Sequence, residues 1–209
     1  MWHNIKQPSE EWLSLRAGLI TSTGLAKVMA NFGKAFGEPA KKYAVDLAIE
    51  QITGIPVSSD YSNNHMQRGN EEEPIARMLY EDTFFSSVTN GGFFEDGTFG
   101  TSPDGLIGDD GMIEIKSAIP SIHYSRVVSG SFDSAYKWQL VHHLKVSGRD
   151  WIDFCSYCSS FPEDKRLFVK KVCKQDFSKE FEMVDQRMAE FLPLVNQTKE
   201  NILSKEYSL

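Results

Sequence analysis

A short stretch near the middle of the chain contains the residue types that metal-dependent hydrolysis requires. Asp104 follows a proline, and Glu114 and Lys116 come later in the same stretch, separated by a single isoleucine. Two carboxylates held about 4 Å apart repel by roughly 4 kcal/mol at an effective dielectric constant near 20. A proton, a lysine or a metal must therefore lie between them. A hard divalent cation suits these oxygen ligands best, so the stretch predicts a metal site.

The spacing of these residues predicts a β-hairpin that brings the carboxylates together. The alternation within residues 112–116 places Glu114 and Lys116 on one face of a strand and two isoleucines on the other, core-forming face. A turn at residues 109–111 folds the preceding strand back and brings Asp104 towards Glu114. From this stretch alone, a surface ion pair beside a turn is the alternative.

A second candidate site lies near the N-terminus, where an arginine precedes a hydroxyl-rich helix start. Arg16 ends a first predicted helix, and Thr-Ser-Thr-Gly at residues 21–24 leads into a second helix over residues 25–30. Backbone N–H groups and the helix dipole favour an anion at such a start, and an arginine can add a bidentate phosphate contact. The alternative is a plain N-cap at Ser22 or Thr23 beside a solvated arginine.

Residues 65–74, which include three consecutive acids, Glu71, Glu72 and Glu73, open a further predicted helix that continues to about Phe84. Acids at a helix N-terminus complement the dipole. Three exceed that need, so one of them is a candidate third metal carboxylate. Helical periodicity does not select which.

The remaining hydrophobic patterns predict strands and helices in alternation. They give a helix at 40–53, strands at 87–96 and 98–107, a loop at 118–131, a helix at 133–146, strands at 151–157 and 167–172, and a terminal helix at 177–203. His142 and His143 are about 100° apart on their helix, so only one can face a given site, and we interpret them as partly buried or solvated. Cys155 and Cys158 point to opposite faces of a strand and are predicted to be small core residues.

The length and composition predict one globular domain over residues 1–209. The chain is 41% hydrophobic, contains no apolar run long enough to span a bilayer, and opens without the basic and apolar regions of a signal peptide. We therefore expect a cytoplasmic protein with no membrane partner. Three cysteines argue against a disulfide framework.

The net charge of −7 excludes any argument from a global basic field. The acidity is concentrated in residues 51–117, which contain three Lys or Arg against twelve Asp or Glu. Bound cations would offset it there, so DNA contact elsewhere on the protein is compatible with the total charge.

Five motifs in order resemble the phage lambda exonuclease (alkaline exonuclease, YqaJ-like) branch of the PD-(D/E)xK nucleases, over roughly residues 10–145. They are Arg16 before Ile20-Thr21-Ser22-Thr23, Arg68-Gly69 before Glu73-Pro74, Ser102-Pro103-Asp104-Gly105-Leu106, Glu114-Ile115-Lys116, and Tyr136 before Gln139. The resemblance implies an α/β fold with a restriction-endonuclease-like core, in which helices flank a central mixed β-sheet.

The resemblance also implies roles for individual residues around the metal. Asp104 and Glu114 match the two metal-binding carboxylates, the Ile115 backbone carbonyl is a further ligand, and Glu73 is selected over its two acidic neighbours. The implied cofactor is Mg²⁺, with two ions bound and Mn²⁺ as a substitute.

The resemblance further implies that two matched residues act on the water that attacks the phosphate. Lys116 matches the lysine that polarises this water, and Gln139 matches a glutamine that orients the water or the scissile phosphate.

Other matched positions concern the DNA end. Arg16, Thr23 and Ser102 fall where the family binds the terminal 5′ phosphate, although the family pattern has Ser at the position of Thr23. Met66 falls near an apolar residue that separates the strands at the duplex end.

The implied activity is Mg²⁺-dependent degradation of double-stranded DNA from its ends, 5′ to 3′. The resemblance further implies a ring-shaped homotrimer and a phage single-strand annealing protein as partner, in a phage- or prophage-encoded recombination system of the bacterial cytoplasm. A PD-(D/E)xK endonuclease and a catalytically silent DNA-end-binding module are the alternatives.

Overall fold

A five-stranded mixed sheet lies at the centre of the fold in the computed structural model, which describes residues 1–57 and 64–205. The strands are β1 (Trp2–His3), β2 (Val88–Asn90), β3 (Phe93–Asp96), β4 (Phe99–Thr101), β5 (Gly105–Ile107), β6 (Gly111–Ser117), β7 (Trp151–Tyr157) and β8 (Leu167–Cys173). The central sheet has the order β2-β5-β6-β7-β8, and within it only the β6–β7 pair is parallel. A small antiparallel sheet, β1-β3-β4, lies apart from it.

Seven α-helices surround these sheets in the described part of the chain. They are α1 (Glu10–Arg16), α2 (Ser22–Met29), α3 (Glu38–Thr53), α4 (Asn64–Phe84), α5 (Pro120–Ser129), α6 (Lys137–Ser147) and α7 (Ser178–Leu203). The predicted α/β class, a mixed sheet flanked by helices, is confirmed. No helix among the described residues has both the length and the apolar composition needed to cross a membrane.

Both faces of the central sheet are buried against helices. The larger core joins Met112 and Phe154 on one face to residues of α2, α3, α6 and α7. On the other face, Ile113 and Ile115 pack with Ala76 and other residues of α4. The predicted alternation along β6 is confirmed, but the face that carries Glu114 also belongs to the core. Any charged group there must consequently be neutralised by its neighbours.

The predicted hairpin is confirmed, since β5 and β6 pair antiparallel from Gly105 opposite Ile113 to Ile107 opposite Gly111. Gly108 adopts φ +54° in the connecting turn, a conformation that glycine accepts without steric cost.

The two strands predicted at residues 87–96 and 98–107 are each divided, so those predictions were wrong in extent. The first divides into β2 and β3, and the second into β4 and β5, with the halves in different sheets. The two breaks lie against each other, because a Cβ on Gly91 would fall 1.9 Å from the Pro103 carbonyl oxygen. Gly91 permits this close approach because it has no side chain, and Pro103 has no backbone N–H to donate to a neighbouring strand. Together they end the hydrogen-bond ladders of both strands.

The loop predicted at residues 118–131 is wrong, since α5 occupies most of it. Pro120 stands in the first turn and Gly130 follows the helix in the left-handed region at φ 63°. These are the usual start and stop signals of a helix, but β-branched and aromatic residues between them lower the intrinsic helix propensity. Packing of the buried His123 and Arg126 against the sheet compensates for that propensity.

Two smaller predictions are also settled. Helix α2 begins at Ser22, one turn earlier than the predicted residue 25. Cys155 and Cys158 are buried and unpaired, as predicted for small core residues.

Candidate active site

Asp104 is held against β6 by two hydrogen bonds to the opposite strand. Its backbone N–H donates to the Ile113 carbonyl at 3.1 Å, and its Oδ2 accepts from the Ile115 N–H at 2.6 Å. Both contacts follow from the hairpin register, which places Asp104, the residue just before β5, opposite Glu114 in the middle of β6. The side chain of Asp104 is thus held by the backbone of Ile115, the residue that follows Glu114.

Glu114 is 1% exposed and is surrounded by three polar side chains. Its Oε1 accepts hydrogen bonds from Lys116 Nζ and Gln139 Nε2, each at 2.5 Å. Its Oε2 faces His143 Nε2 at 3.0 Å, off the direction of an aligned hydrogen bond. The structure therefore brings together Glu114, Lys116 and Gln139, as the sequence predicted, and adds a histidine.

The two carboxylates have opposite pKa shifts. Asp104 keeps part of its surface towards a cavity, but burial of its carboxylate, followed by repulsion from Glu114, raises its pKa well above the usual range. Burial would also raise the pKa of Glu114, but the charge of Lys116 and the contact with His143 outweigh it and lower that pKa to about 2. The lysine thus neutralises Glu114 and leaves Asp104 with excess repulsion.

Lys116 is the cation of this cluster. Its pKa is lowered by burial but raised more strongly by Glu114 and Asp104, so that the net shift is upward. The Tyr136 ring centroid lies 5.5 Å from its Nζ. The lysine is consequently charged at neutral pH and cannot act as a general base in this arrangement.

The three acids lie about two turns inside α4 rather than at its N-terminus, and they point in different directions. Glu71 accepts from Gln67 at 2.9 Å on the exposed side of the helix, and Glu72 accepts from Ser159 at 2.5 Å and from Ser117. Glu73 lines the same cavity as Asp104, and its pKa is raised by burial and by Glu114. Glu73 is therefore the acid directed towards the site.

Arg77 joins Glu73 to Asp104, and sequence reasoning missed it. Its Nη2 donates to the Asp104 carbonyl oxygen and lies 3.8 Å from Glu73 Oε1. The spacing of four residues between Glu73 and Arg77, one helical turn, was the available signal. This arginine offsets part of the repulsion among the carboxylates.

The residues present fit a hard divalent cation. Glu114 Oε2 is buried without an aligned hydrogen-bond partner among the described residues, so its lone pairs are free for a ligand bond. Across residues 1–57 and 64–205, no three His, Cys, Asp or Glu side chains are already gathered at ligand spacing. Mg²⁺ does not require three, because it takes one or two protein carboxylates and completes its shell with water and substrate oxygens.

The N-terminal candidate site is built around Trp12. The guanidinium of Arg16 stacks over the Trp12 ring, 3.9 Å from its centroid, and the Trp12 indole N–H donates to Ser102 Oγ at 2.7 Å. Within the described residues, no carboxylate lies within 4.0 Å of the Arg16 guanidinium. An arginine held flat against an aromatic ring, without a carboxylate partner among these residues, is arranged to bind an anion such as a phosphate with two hydrogen bonds.

The start of α2 differs from the plain N-cap considered above. The N-cap residue is Thr21, whose side chain makes no capping hydrogen bond, and its backbone N–H donates to Tyr43 Oη at 3.0 Å. Thr23 Oγ1 is exposed, 3.5 Å from Thr21 Oγ1. A Cβ on Gly24 would lie 2.1 Å from the Tyr43 ring, so this tyrosine packs directly under the helix start.

One cavity of about 850 Å³ connects the two candidate sites. Its lining includes Arg16 and Thr23 of the N-terminal candidate site and Glu73 and Asp104 of the candidate metal site. An anion near Arg16 and a phosphate near the carboxylates would therefore lie within the same cavity.

The two histidines of α6 were interpreted as partly buried or solvated, and this was wrong. His142 and His143 are at most 1% exposed. His142 Nδ1 lies 3.0 Å from Ser22 Oγ, and His143 Nδ1 lies 2.7 Å from Thr101 Oγ1. Their partners lie on α2 and β4, so the contacts could not be inferred from the helix alone.

Met66 lies in the first turn of α4, and its side chain is outside the described residues. Its predicted role in strand separation stays a prediction. The backbone N–H of Ile115 donates to Asp104. Coordination of a metal by the Ile115 carbonyl oxygen also stays a prediction.

The fold and this site define a nuclease of the alkaline exonuclease type. The chain belongs to the YqaJ-like viral recombinase domain family, whose sequence model matches residues 11–150. No curated protein sequence matches the chain.

Solved structures agree with this assignment. The alkaline exonuclease LHK-Exo from Laribacter hongkongensis is 30% identical, with a TM-score of 0.77 over 93% of this chain and 98% of that one. LHK-Exo in complex with dAMP gives a TM-score of 0.79 at the same identity and the same coverage of both chains. A phage-related exonuclease from Haemophilus somnus, 13% identical over 89% of this chain and 95% of that one, shares the fold with a TM-score of 0.66.

Proposed function

We propose that this protein is a Mg²⁺-dependent exonuclease that degrades double-stranded DNA from its ends in the 5′ to 3′ direction. The observation that carries the proposal is the shared cavity, whose lining includes both Arg16 and the carboxylates of Glu73 and Asp104. A terminal 5′ phosphate beside Arg16 and Thr23 would place a neighbouring phosphodiester near the carboxylates. This arrangement selects the 5′ end and gives the direction of degradation.

The proposed metal ligands are Asp104, Glu114, Glu73 and the Ile115 carbonyl. When bound, Mg²⁺ would supply neutralising charge and a more acidic bound water. Mn²⁺, which also prefers oxygen ligands, would substitute for it. The pKa of Asp104 is raised by burial and by repulsion from Glu114. A bound cation would relieve this repulsion, which supports a metal ion at this position.

The protein's own side chains would act on the reacting phosphate. Lys116, already charged and 2.5 Å from Glu114, would stabilise negative charge that develops on the phosphate oxygens. Gln139, bonded to the same carboxylate oxygen, would orient the attacking water or the phosphate by its amide. Most DNA contacts in such a cavity would be made to phosphates, so we expect little sequence preference.

The complex of LHK-Exo with dAMP supports a nucleotide-sized product. We infer that the cavity of this chain also accepts a deoxynucleoside 5′-monophosphate, the product of single-nucleotide removal. We further propose a homotrimeric ring around DNA and a role in phage homologous recombination with a single-strand annealing protein, in the host cytoplasm. The family assignment supports the recombination role.

The decisive experiment is digestion of linear duplex DNA labelled at either the 5′ or the 3′ end, with Mg²⁺ or with EDTA. Rapid release of the 5′ label as mononucleotide, only with Mg²⁺, is the expected result. Early release of the 3′ label would refute the proposed direction. A closed circular duplex serves as control, and its cleavage would identify an endonuclease. End binding without any hydrolysis would identify a DNA-end-binding module.

A further inference from the structure

A continuous set of buried polar contacts leads from Glu114 to the first turn of α2. From the carboxylate it passes through His143, Thr101 and Ser22 to His142, with successive separations of 3.0, 2.7, 2.6 and 3.0 Å. Every member is at most 6% exposed. The residues come from α2, β4, β6 and α6, so this chain of contacts ties four elements together.

The direction of the hydrogen bonds follows from the carboxylate. Glu114 can only accept, so a neutral His143 directs a favourable N–H towards it across the 3.0 Å contact only when its proton is on Nε2, and its Nδ1 then accepts from the Thr101 hydroxyl. Thr101 in turn accepts from the Ser22 hydroxyl, which accepts from His142 Nδ1–H. With both rings neutral, this single arrangement supplies each contact with one donor and one acceptor. The contacts thus fix the tautomer and ring orientation of His143.

The Glu114 carboxylate also needs the contact with His143 to keep a single orientation. Lys116 and Gln139 both donate to Glu114 Oε1, so the remaining motion is a pivot of the rigid carboxylate about that oxygen, which would swing Oε2 towards or away from a cation. His143 Nε2 contacts this second oxygen. A carboxylate ligand whose orientation is restrained by a neighbouring histidine binds metal better than a mobile one, because less order must be imposed on binding.

We infer that His143, oriented by Thr101 and Ser22, is a positioning residue that holds the Glu114 carboxylate in place for the metal ion. The inference rests on the proposed metal-dependent function. It assigns His143 no contact with DNA and no proton transfer.

The test measures metal binding directly, without DNA or turnover. Mn²⁺ is titrated into the metal-free protein, and the free ion is followed by electron paramagnetic resonance. His143→Leu should weaken Mn²⁺ binding about 10- to 100-fold, the usual effect of removing a residue that orients a metal ligand. Thr101→Val, which removes only the hydroxyl, should weaken it by about threefold or more.

A conservative replacement and a matched control separate positioning from general damage. His143→Gln keeps an N–H donor at the end of the side chain and should recover most of the affinity that His143→Leu loses. His123→Leu removes another fully buried, doubly hydrogen-bonded histidine, from α5, and should leave Mn²⁺ affinity unchanged. The affinity of each variant for a duplex end in EDTA should also match that of the wild type.

Two results would overturn the inference. One is Mn²⁺ affinity within about twofold of wild type in Thr101→Val and in any folded His143→Leu, since a positioning role predicts larger losses. The other is an equal loss in His123→Leu. If His143→Leu shows no cooperative melting, Thr101→Val decides the question alone. Failure of the wild type itself to bind Mn²⁺ would refute the proposed metal dependence, and the inference would fall with it.

Discussion

The Trp12 indole lies between two candidate phosphate ligands, since it donates to Ser102 Oγ at 2.7 Å and stacks under the Arg16 guanidinium at 3.9 Å. Helix α1 has no buried residue, so these contacts, rather than core packing, fix the position of Arg16. Ser102 stands two residues before Asp104. The proposed DNA-end pocket is thereby attached to the proposed metal site through a single side chain.

Replacement of Arg16 tests this pocket. Arg16→Ala should erase the preference for 5′-phosphorylated over 5′-hydroxyl ends, because it removes the unpaired guanidinium that would bind the terminal phosphate. The measurement is the ratio of initial rates on two duplexes that differ only in the terminal phosphate. Lys41→Ala removes one charge from an exposed pair with Glu38 and should keep the wild-type ratio. Absence of any preference in the wild type would contradict the pocket assignment.

Trp12→Phe tests the link between the two ligands. Phenylalanine keeps an aromatic face for Arg16 but cannot donate to Ser102, so the preference for 5′-phosphorylated ends should fall severalfold without being lost. Loss of one hydrogen bond of about 1 kcal/mol corresponds to a change of about fivefold. An unchanged preference would show that the Trp12–Ser102 contact does not position the pocket.

Lys116→Ala tests the catalytic assignment. Hydrolysis with Mg²⁺ should fall by at least about 100-fold, since the charge that stabilises the phosphate in the transition state is removed. Binding to duplex ends, measured by fluorescence anisotropy, should persist. Lys145→Ala, which breaks a surface pair with Asp185, is the charge-matched control and should be fully active. Undiminished activity in Lys116→Ala would refute the mechanism.

Mg²⁺ should raise the melting temperature of the wild-type protein, because it relieves repulsion on the buried Asp104. The pKa of Asp104 is raised in the folded state, so its ionisation opposes folding at pH values above its unfolded pKa. Asp104→Asn should therefore melt a few degrees higher than wild type without metal near pH 8, at about 2–4 °C per kcal/mol. It should also lose the response to Mg²⁺, and a wild-type-like response would exclude Asp104 as a ligand.

His142 should make the protein sensitive to acid. Burial lowers its pKa to about 3, below the value of about 6.5 expected in the unfolded chain. The unfolded state therefore binds an extra proton between these values, and stability present above about pH 6.5 is lost as pH falls, by on the order of 1.4 kcal/mol per unit. His142→Asn should reduce this slope in urea unfolding measured between about pH 7 and pH 5. Equal slopes in the two proteins would contradict the assignment.

The sequence by itself determined which side chains meet within one hairpin. The alternation along β6 and the turn before it predicted that Asp104, Glu114 and Lys116 converge, and the structure places them so. These residues belong to one hairpin, where strand period and register alone decide which side chains meet. The order of motifs along the chain also predicted the family and the α/β class, which are confirmed.

Relationships across the chain were decided only by the tertiary structure. Periodicity could not choose among three glutamates of α4; the family resemblance selected Glu73, and packing of this helix on the sheet places it in the cavity beside Asp104. His143 contacts Thr101 from a distant element, and Trp12 contacts Ser102 across 90 residues. Such pairs meet because helices and strands bury shared apolar faces, and the polar contacts that result depend on how whole elements pack. Local sequence patterns carry no record of that packing, which is why α5 and the divided strands were also missed.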